Sequence, residues 1–182
     1  LLFASYNRGY KAFSYNAGFA GAAPVDAARF EGETLNAFEI GSKLDFWDRR
    51  ARFNMSVYYY DYNDYQAFDQ RGVAFVLSNT DATVYGADAE LTISAGHGIN
   101  LMFGLALLDT EVEDIPIGGI PMDRDAPQAP DTTFNFVASK EFQLSAGTVR
   151  FGFDGSYNAD YFSQLTNAPV TKVDSSWLFN AR

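Results

Sequence analysis

Hydrophobic and polar residues alternate with a period of two through about eight stretches of this chain. The clearest runs from Ala51 to Tyr60, where Phe53, Met55, Val57 and Tyr59 fall on one side and Asn54, Ser56 and Tyr58 on the other. Successive strand side chains point to opposite faces, so this is a two-faced strand. The same reading predicts strands at about 2–10, 35–47, 51–62, 83–94, 99–110, 132–142 and 148–160, with an eighth beginning near Ser175. In the second, Phe38, Ile40, Leu44 and Phe46 oppose Glu39, Gly41, Lys43 and Asp45. In the seventh, Val149, Phe151, Phe153 and Tyr157 oppose Arg150, Asp154, Ser156 and Asn158.

The connections carry the topology. Tight turns are expected at Asp48–Arg50, Ala95–Gly98 and Gln143–Gly147. Long loops are expected over 11–32, over 63–80 with a strand-like stretch at 74–77, and over 111–131, with a medium loop reaching Asp174. One rim of long loops and one of tight turns is the layout of an outer-membrane barrel. Strands of ~10–13 residues also exceed the ~5–6 usual in soluble sheets and suit a tilted span of the bilayer. The expected fold is all-β: an antiparallel up-and-down meander of about eight strands, part of a larger transmembrane β-barrel. Its apolar face, with Phe53, Val57, Leu101, Phe103, Leu105, Phe134, Phe136, Phe151 and Phe153, is expected to meet membrane lipid; the polar face lines a lumen.

Composition narrows the picture. The chain has 182 residues, 17 Phe and 11 Tyr, which favours strands and interfacial girdles. With no cysteine there is no disulfide or thiolate site. A net charge of −10 argues against nucleic acid, whose phosphates call for an excess of Lys and Arg. A mean hydropathy of −0.16 is compatible with a barrel, because alternation hides the apolar band. The longest apolar run, Leu101–Leu108, is far short of the ~20 residues of a spanning helix.

The candidate chemistry points to binding, not catalysis, and no cofactor is expected. His97 is the only histidine and sits in a Gly-flanked turn, which removes a Ser-His-Asp triad and a His-based zinc site. Inward carboxylates Glu39, Asp45, Asp88, Glu90 and Asp154 read as a wet lumen wall balanced by Lys43, Arg52 and Arg150. Loop acids Glu111, Glu113, Asp114, Asp123 and Asp125 suit a hard cation by type but lack calcium-loop spacing. Gly9, Gly41, Gly86 and Gly104 are expected to mark bends or close approaches. The best ligand contacts are loop aromatics with polar neighbours: Tyr15, Asn16, Tyr65, Phe68, Gln70, Arg71 and Gln164, flanked by Tyr10, Phe13, Tyr161 and Phe162.

Five stretches resemble TonB-dependent outer-membrane receptors, in the C-terminal barrel portion. Leu2–Lys11 is similar to the family's "ASYSRGFK" strand, and Glu33–Lys43 to its "PE…NYEIGLK" segment. Phe53–Tyr62 is similar to the "LNAAVFYYDY" strand, Ala82–Leu91 to "A…YGVELE", and Leu178–Arg182 to the "vNAR" strand. They come in the family's order and cover nearly the whole chain. The family's barrels have 22 strands around a separate plug; residues 1–182 have room for about eight strands and no plug, so they are expected to be an internal part of a larger receptor. The resemblance implies active import of a scarce nutrient, iron-siderophore foremost, across the bacterial outer membrane. It also implies TonB as a partner, through segments outside this chain. The alternative is a small complete eight-stranded barrel with an anchoring role.

Overall fold

The computed structural model describes residues 1–16, 29–71 and 74–182, without the side chains of 69–71 and 74–76. Its elements are β1 (Leu2–Lys11), β2 (Ser14–Tyr15), β3 (Arg29–Phe30), β4 (Glu33–Phe46), β5 (Ala51–Arg71), β6 (Ala74–Gly96) and β7 (Ile99–Ile117). They continue with β8 (Ile120–Arg124), β9 (Thr132–Leu144), β10 (Gly147–Asn158), β11 (Tyr161–Phe162), β12 (Lys172–Val173) and β13 (Ser176–Ala181). One antiparallel sheet runs β1-β4-β5-β6-β7-β9-β10-β13, each long strand beside its neighbour in the chain, with β8 pairing β7. β2 pairs β3, and β11 pairs β12, in two small ladders outside this sheet. The eight-strand meander expected from periodicity is therefore present. Among the described residues no ladder joins β1 to β13, which are the sheet's two edges, so these strands do not close on themselves as a small complete barrel would.

Register puts every apolar set on one face. Ile40 lies opposite Val57, Val57 opposite Ala87, and Ala87 opposite Leu107. Leu91 lies opposite Phe103, Phe103 opposite Phe136, and Ala138 opposite Phe153. Since a one-residue slip would invert a strand, this agreement across the sheet fixes the register. The face is left bare: Ile40, Val57, Leu105, Leu107, Phe151 and Phe153 are all exposed. Such a band exceeds what a monomer keeps in water and suits an acyl-chain environment. Aromatic rings gather toward β13, where Trp177 and Phe179 stack at 5.4 Å and Phe153 and Phe179 at 6.0 Å.

The opposite face is polar toward the tight turns. Asp45 receives a two-pronged hydrogen bond from the Arg52 guanidinium at 2.7 and 3.2 Å. Arg150 pairs with Glu141 at 2.7 Å, and Arg182 with Asp154 at 2.8 Å. Lys43 instead lies over the Phe3 ring at 5.8 Å, so of the three cations expected to balance the lumen acids only Arg52 meets one of those named. Asn54 donates to Glu90 at 3.3 Å.

Two expected loops are strands for most of their length. β5 and β6 run on to Arg71 and from Ala74, a hairpin reaching well past the segments predicted at 51–62 and 83–94. β7 continues to Ile117 and returns as β8. Both extensions begin at a register shift, between Tyr62 and Tyr65 and between Val112 and Ile115. Asp64 and Asp114 sit there at φ 56° and 51°, the left-handed backbone of a bulge. The shift interrupts the period of two, which is why the alternation breaks there. Trp47 belongs to the turn, as its φ of 55° and those of Asp48 and Arg49 show.

Candidate functional site

The rim that carries the long connections is folded upon itself. Ala67, Ala82, Val112, Ile115 and Leu165 are buried together, with Tyr62, Tyr65, Ile117 and Ala126 packed around them. Ala82 and Val112 face each other across β6 and β7, on the side of the sheet that carries the polar wall. Leu165 comes from the excursion between β10 and β13, so that segment crosses the concave side and closes over the hairpin. The burial of Tyr65, followed by the nearby charge of Glu33, holds its phenol above the usual range.

Side-chain amides fasten the excursions. Asn167 accepts from the Asp125 N–H at 2.8 Å and donates to the Asp125 carbonyl at 3.1 Å, tying the β10–β13 excursion to the segment after β8. Gln66 is only 5 % exposed, and its Nε2 donates to the carbonyls of Ala12 and Glu31, each at 3.0 Å. Its backbone N–H donates to the Glu33 carboxylate at 2.9 Å. Asn79, directly opposite Gln66 in the hairpin, accepts from the Glu31 N–H at 2.7 Å and donates to the Glu31 carbonyl at 3.2 Å. Sequence reasoning missed all three. Each is a lone amide in a polar stretch, and only the fold shows that a backbone without strand partners comes to meet it.

The residues singled out as ligand contacts are spread over several segments of the rim. Tyr65 packs in the rim core, and Gln164 adjoins Leu165, its carbonyl accepting from the Asn167 N–H at 3.1 Å. Tyr15 is exposed in β2, edge-on to Phe13 at 6.4 Å, with Arg29 over the Phe13 ring at 4.9 Å. Asn16 follows it, and both belong to the excursion between β1 and β4. Phe68 is exposed on the hairpin, on the face opposite Tyr65 by strand alternation. Gln70 and Arg71 pair through their backbones with Phe75 and Ala74 at the hairpin tip; their side chains lie outside the described residues.

Below the rim the inner wall is aromatic before it is charged. Tyr58, Tyr60 and Tyr62 follow one another on the face of Glu39 and Asp88, and the Tyr58 and Tyr60 rings stack at 5.0 Å. Tyr58 lies across Gly86, where a Cβ would meet its phenol oxygen at 2.5 Å. Gly86 is thus a close approach, as expected, and so is Gly104 beneath the Asn135 amide. Nearer the turns a shallow hollow of about 540 Å³ is lined by Glu39, Lys43, Asn54, Ser56, Asp88 and Glu90, among others.

His97 is a turn residue at φ 51° whose carbonyl accepts from Lys140 at 2.6 Å. Partial burial, then repulsion from Asp81, Asp123, Glu111 and Asp114, raises the Glu113 carboxyl above its ordinary value. Among the described residues no three acids or histidines are disposed to hold a metal ion.

A twisted antiparallel wall, bare and apolar outside, ion-paired inside, with tight turns on one rim and folded hairpins on the other, defines an outer-membrane β-barrel protein. Residues 1–182 match the family described as "TonB dependent receptor-like, beta-barrel", and the chain belongs to that family. Its members are transporters of the bacterial outer membrane rather than enzymes. Among solved structures, the chain is similar to the ferric yersiniabactin uptake receptor FyuA from Yersinia pestis, at 15% identity and a TM-score of 0.76 over 99% of this chain and 26% of that one. The copper transporter OprC gives 16%, 0.74, 99% and 28% in the same terms. The siderophore receptor PiuA from Acinetobacter baumannii gives 18%, 0.71, 99% and 26%. At such identities these likenesses speak for the fold, and the chain spans about a quarter of each of these proteins.

Proposed function

We propose that this chain is barrel wall from an outer-membrane active transporter that imports a scarce nutrient as a ferric siderophore, the plug and the TonB-contacting segment lying in other parts of the receptor. The observation that carries the reading is the contrast between the two rims. The turn rim is spare, whereas the loop rim builds a buried core and three amide clamps, an investment that a passive anchor has no use for. Substrate enters past the hairpin tip and meets the aromatic wall of Tyr62, Tyr60 and Tyr58 before the charged hollow. Phenol faces and hydroxyls suit the rings and oxygen donors of a chelate. Iron travels as cargo, held by its chelate. FyuA and PiuA carry ferric yersiniabactin and siderophore in their names, which supports this class; OprC, named for copper, marks the competing one.

Tyr15, Asn16, Tyr65, Phe68, Gln70, Arg71 and Gln164 remain the proposed rim contacts, with Arg71 the anion-gripping group. The test is uptake by cells that have this receptor and lack others. Radioactive iron offered as a ferric catecholate should enter in a TonB-dependent manner, and radioactive copper should not. Arg71→Ala should weaken iron uptake ~10–100-fold, the worth of one charge-assisted hydrogen bond. Copper entry without iron entry would overturn the substrate class, and uptake indifferent to TonB would overturn transport of this kind.

A further inference from the structure

Among the described residues, no further strand joins the ladder of the far half of the β5–β6 hairpin. β4 accompanies β5 only as far as Thr34 opposite Asn63, and β7 accompanies β6 only as far as Val112 opposite Ala82. Residues 65–71 and 74–80 pair with each other, and among the described residues no other strand pairs with them. A two-stranded ribbon by itself is marginal in water, so its direction must be set by what touches its two faces. On the concave face it is the apolar cluster with Leu165 and, at the base of the ribbon, the Thr80 hydroxyl, which donates to the Glu113 carbonyl at 2.6 Å. On the other face it is Gln66 and Asn79, cross-strand partners whose amides hold the backbone of Ala12 and Glu31 through four hydrogen bonds of 2.7–3.2 Å. Glu33 adds a fifth contact, from its carboxylate to the Gln66 N–H at 2.9 Å. The held segments bracket the β2–β3 ladder on both sides, Ala12 before β2 and Glu31 after β3.

We propose that Gln66 and Asn79 are positioning residues: a latch that binds the β1–β4 excursion to the back of the β5–β6 hairpin and so fixes where the hairpin tip stands over the barrel mouth. The inference rests on the proposed function only in what the tip is for. Apolar contacts with Leu165 are non-directional, and the single Thr80–Glu113 hydrogen bond lies at the base of the ribbon, a pivot about which it can rock. Amide hydrogen bonds to two backbone segments are directional, and a buried donor left unpaired is costly, so the ribbon has one favoured tilt. The backbone of 65–71 and 74–80 then keeps one tilt, and ligand capture does not bear the cost of ordering it.

The test uses the full receptor in lipid nanodiscs, with Gln66→Met, Asn79→Ala and the double variant. Methionine keeps the volume of the buried glutamine and removes both donors. Amide hydrogen exchange at 65–71, 74–80 and 29–33 should quicken at least tenfold, while 99–110 and 132–144 in the membrane band stay unchanged. Affinity for a ferric catecholate should fall about tenfold, with the import rate at saturation unaltered and Asn79→Gln failing to restore it, because its longer arm misplaces the amide. Unchanged exchange would overturn the latch. Faster exchange with unaltered affinity would overturn the positioning role and leave a merely structural clamp. A wild-type receptor that binds no ferric catecholate would overturn the substrate class proposed above, and the exchange experiment would still decide the latch.

Discussion

At the scale of single residues, the sharpest expectation concerns Phe103. It lies between Leu91 and Phe136, in the middle of the apolar face, where sequence alternation alone had placed it. Phe103→Arg should cost ~2–4 kcal/mol of folding free energy in a bilayer, read by urea titration of the receptor in vesicles. A second expectation needed the structure. A Cβ on Gly86 would collide with the backbone carbonyl of Leu107 as well as with the Tyr58 ring, and a backbone does not step aside. Gly86→Ala should therefore destabilise by ~1–3 kcal/mol in the same assay. Gly104→Ala, which meets only the Asn135 side chain, should cost less. The glycines were legible as close approaches, but not which neighbour each admits, because that depends on register across strands. Composition sets Lys43, Arg52 and Arg150 against the lumen acids as a group, but which acid each meets depends on register: Arg150 pairs with Glu141, and Asp154 with Arg182.

At the scale of elements, legibility follows the membrane. Within the bilayer every strand must show one face to lipid, so the period of two is enforced and the eight segments could be read. Beyond it no such rule holds. Gln66, Ala67 and Asn79 belong to strands whose faces are covered by other segments, and a bulge at Asp64 shifts the phase. For that reason the pattern predicts loops over the β5–β6 and β7–β8 extensions, apart from the strand-like stretch at 74–77, which β6 bears out. The small β11–β12 ladder gives a pH expectation. The Lys172 ammonium hydrogen-bonds Asp160 at 2.7 Å and holds its carboxyl below the ordinary value. A depressed folded-state pKa means that the contribution is present above the unfolded value of 3.8 and is lost as pH falls through the lower, folded one. Protease cleavage between 161 and 173 should be steady from pH 8 to about 5 and should rise below about pH 4. Lys172→Ala should remove that step. Because the pair is fully at the surface, the effect should also fade at high salt.

At the scale of the whole molecule, the sheet has two open edges and one bare face. The chain on its own should need detergent to stay dispersed, and without it should associate through both, as sedimentation would show. A single sharp monomer peak in plain buffer would contradict the outward assignment of the aromatics. The outline of the molecule came through in the sequence because membrane physics imposes it on every strand. The organisation of the rim did not, because it is made of contacts between segments far apart in the chain, such as Gln66 with Ala12 and Ala67 with Leu165. One detail of this outline has an instrumental use. The chain has two tryptophans, each 51% exposed: Trp47 in a tight turn, and Trp177 at the start of β13, on the side of the long connections. They stand at opposite boundaries of the apolar band, so the protein carries two fluorescent depth marks, one for each leaflet. With these kept as the sole tryptophans, a water-soluble quencher confined outside sealed vesicles should dim one emitter and spare the other. Which one dims reports directly which way the barrel has inserted.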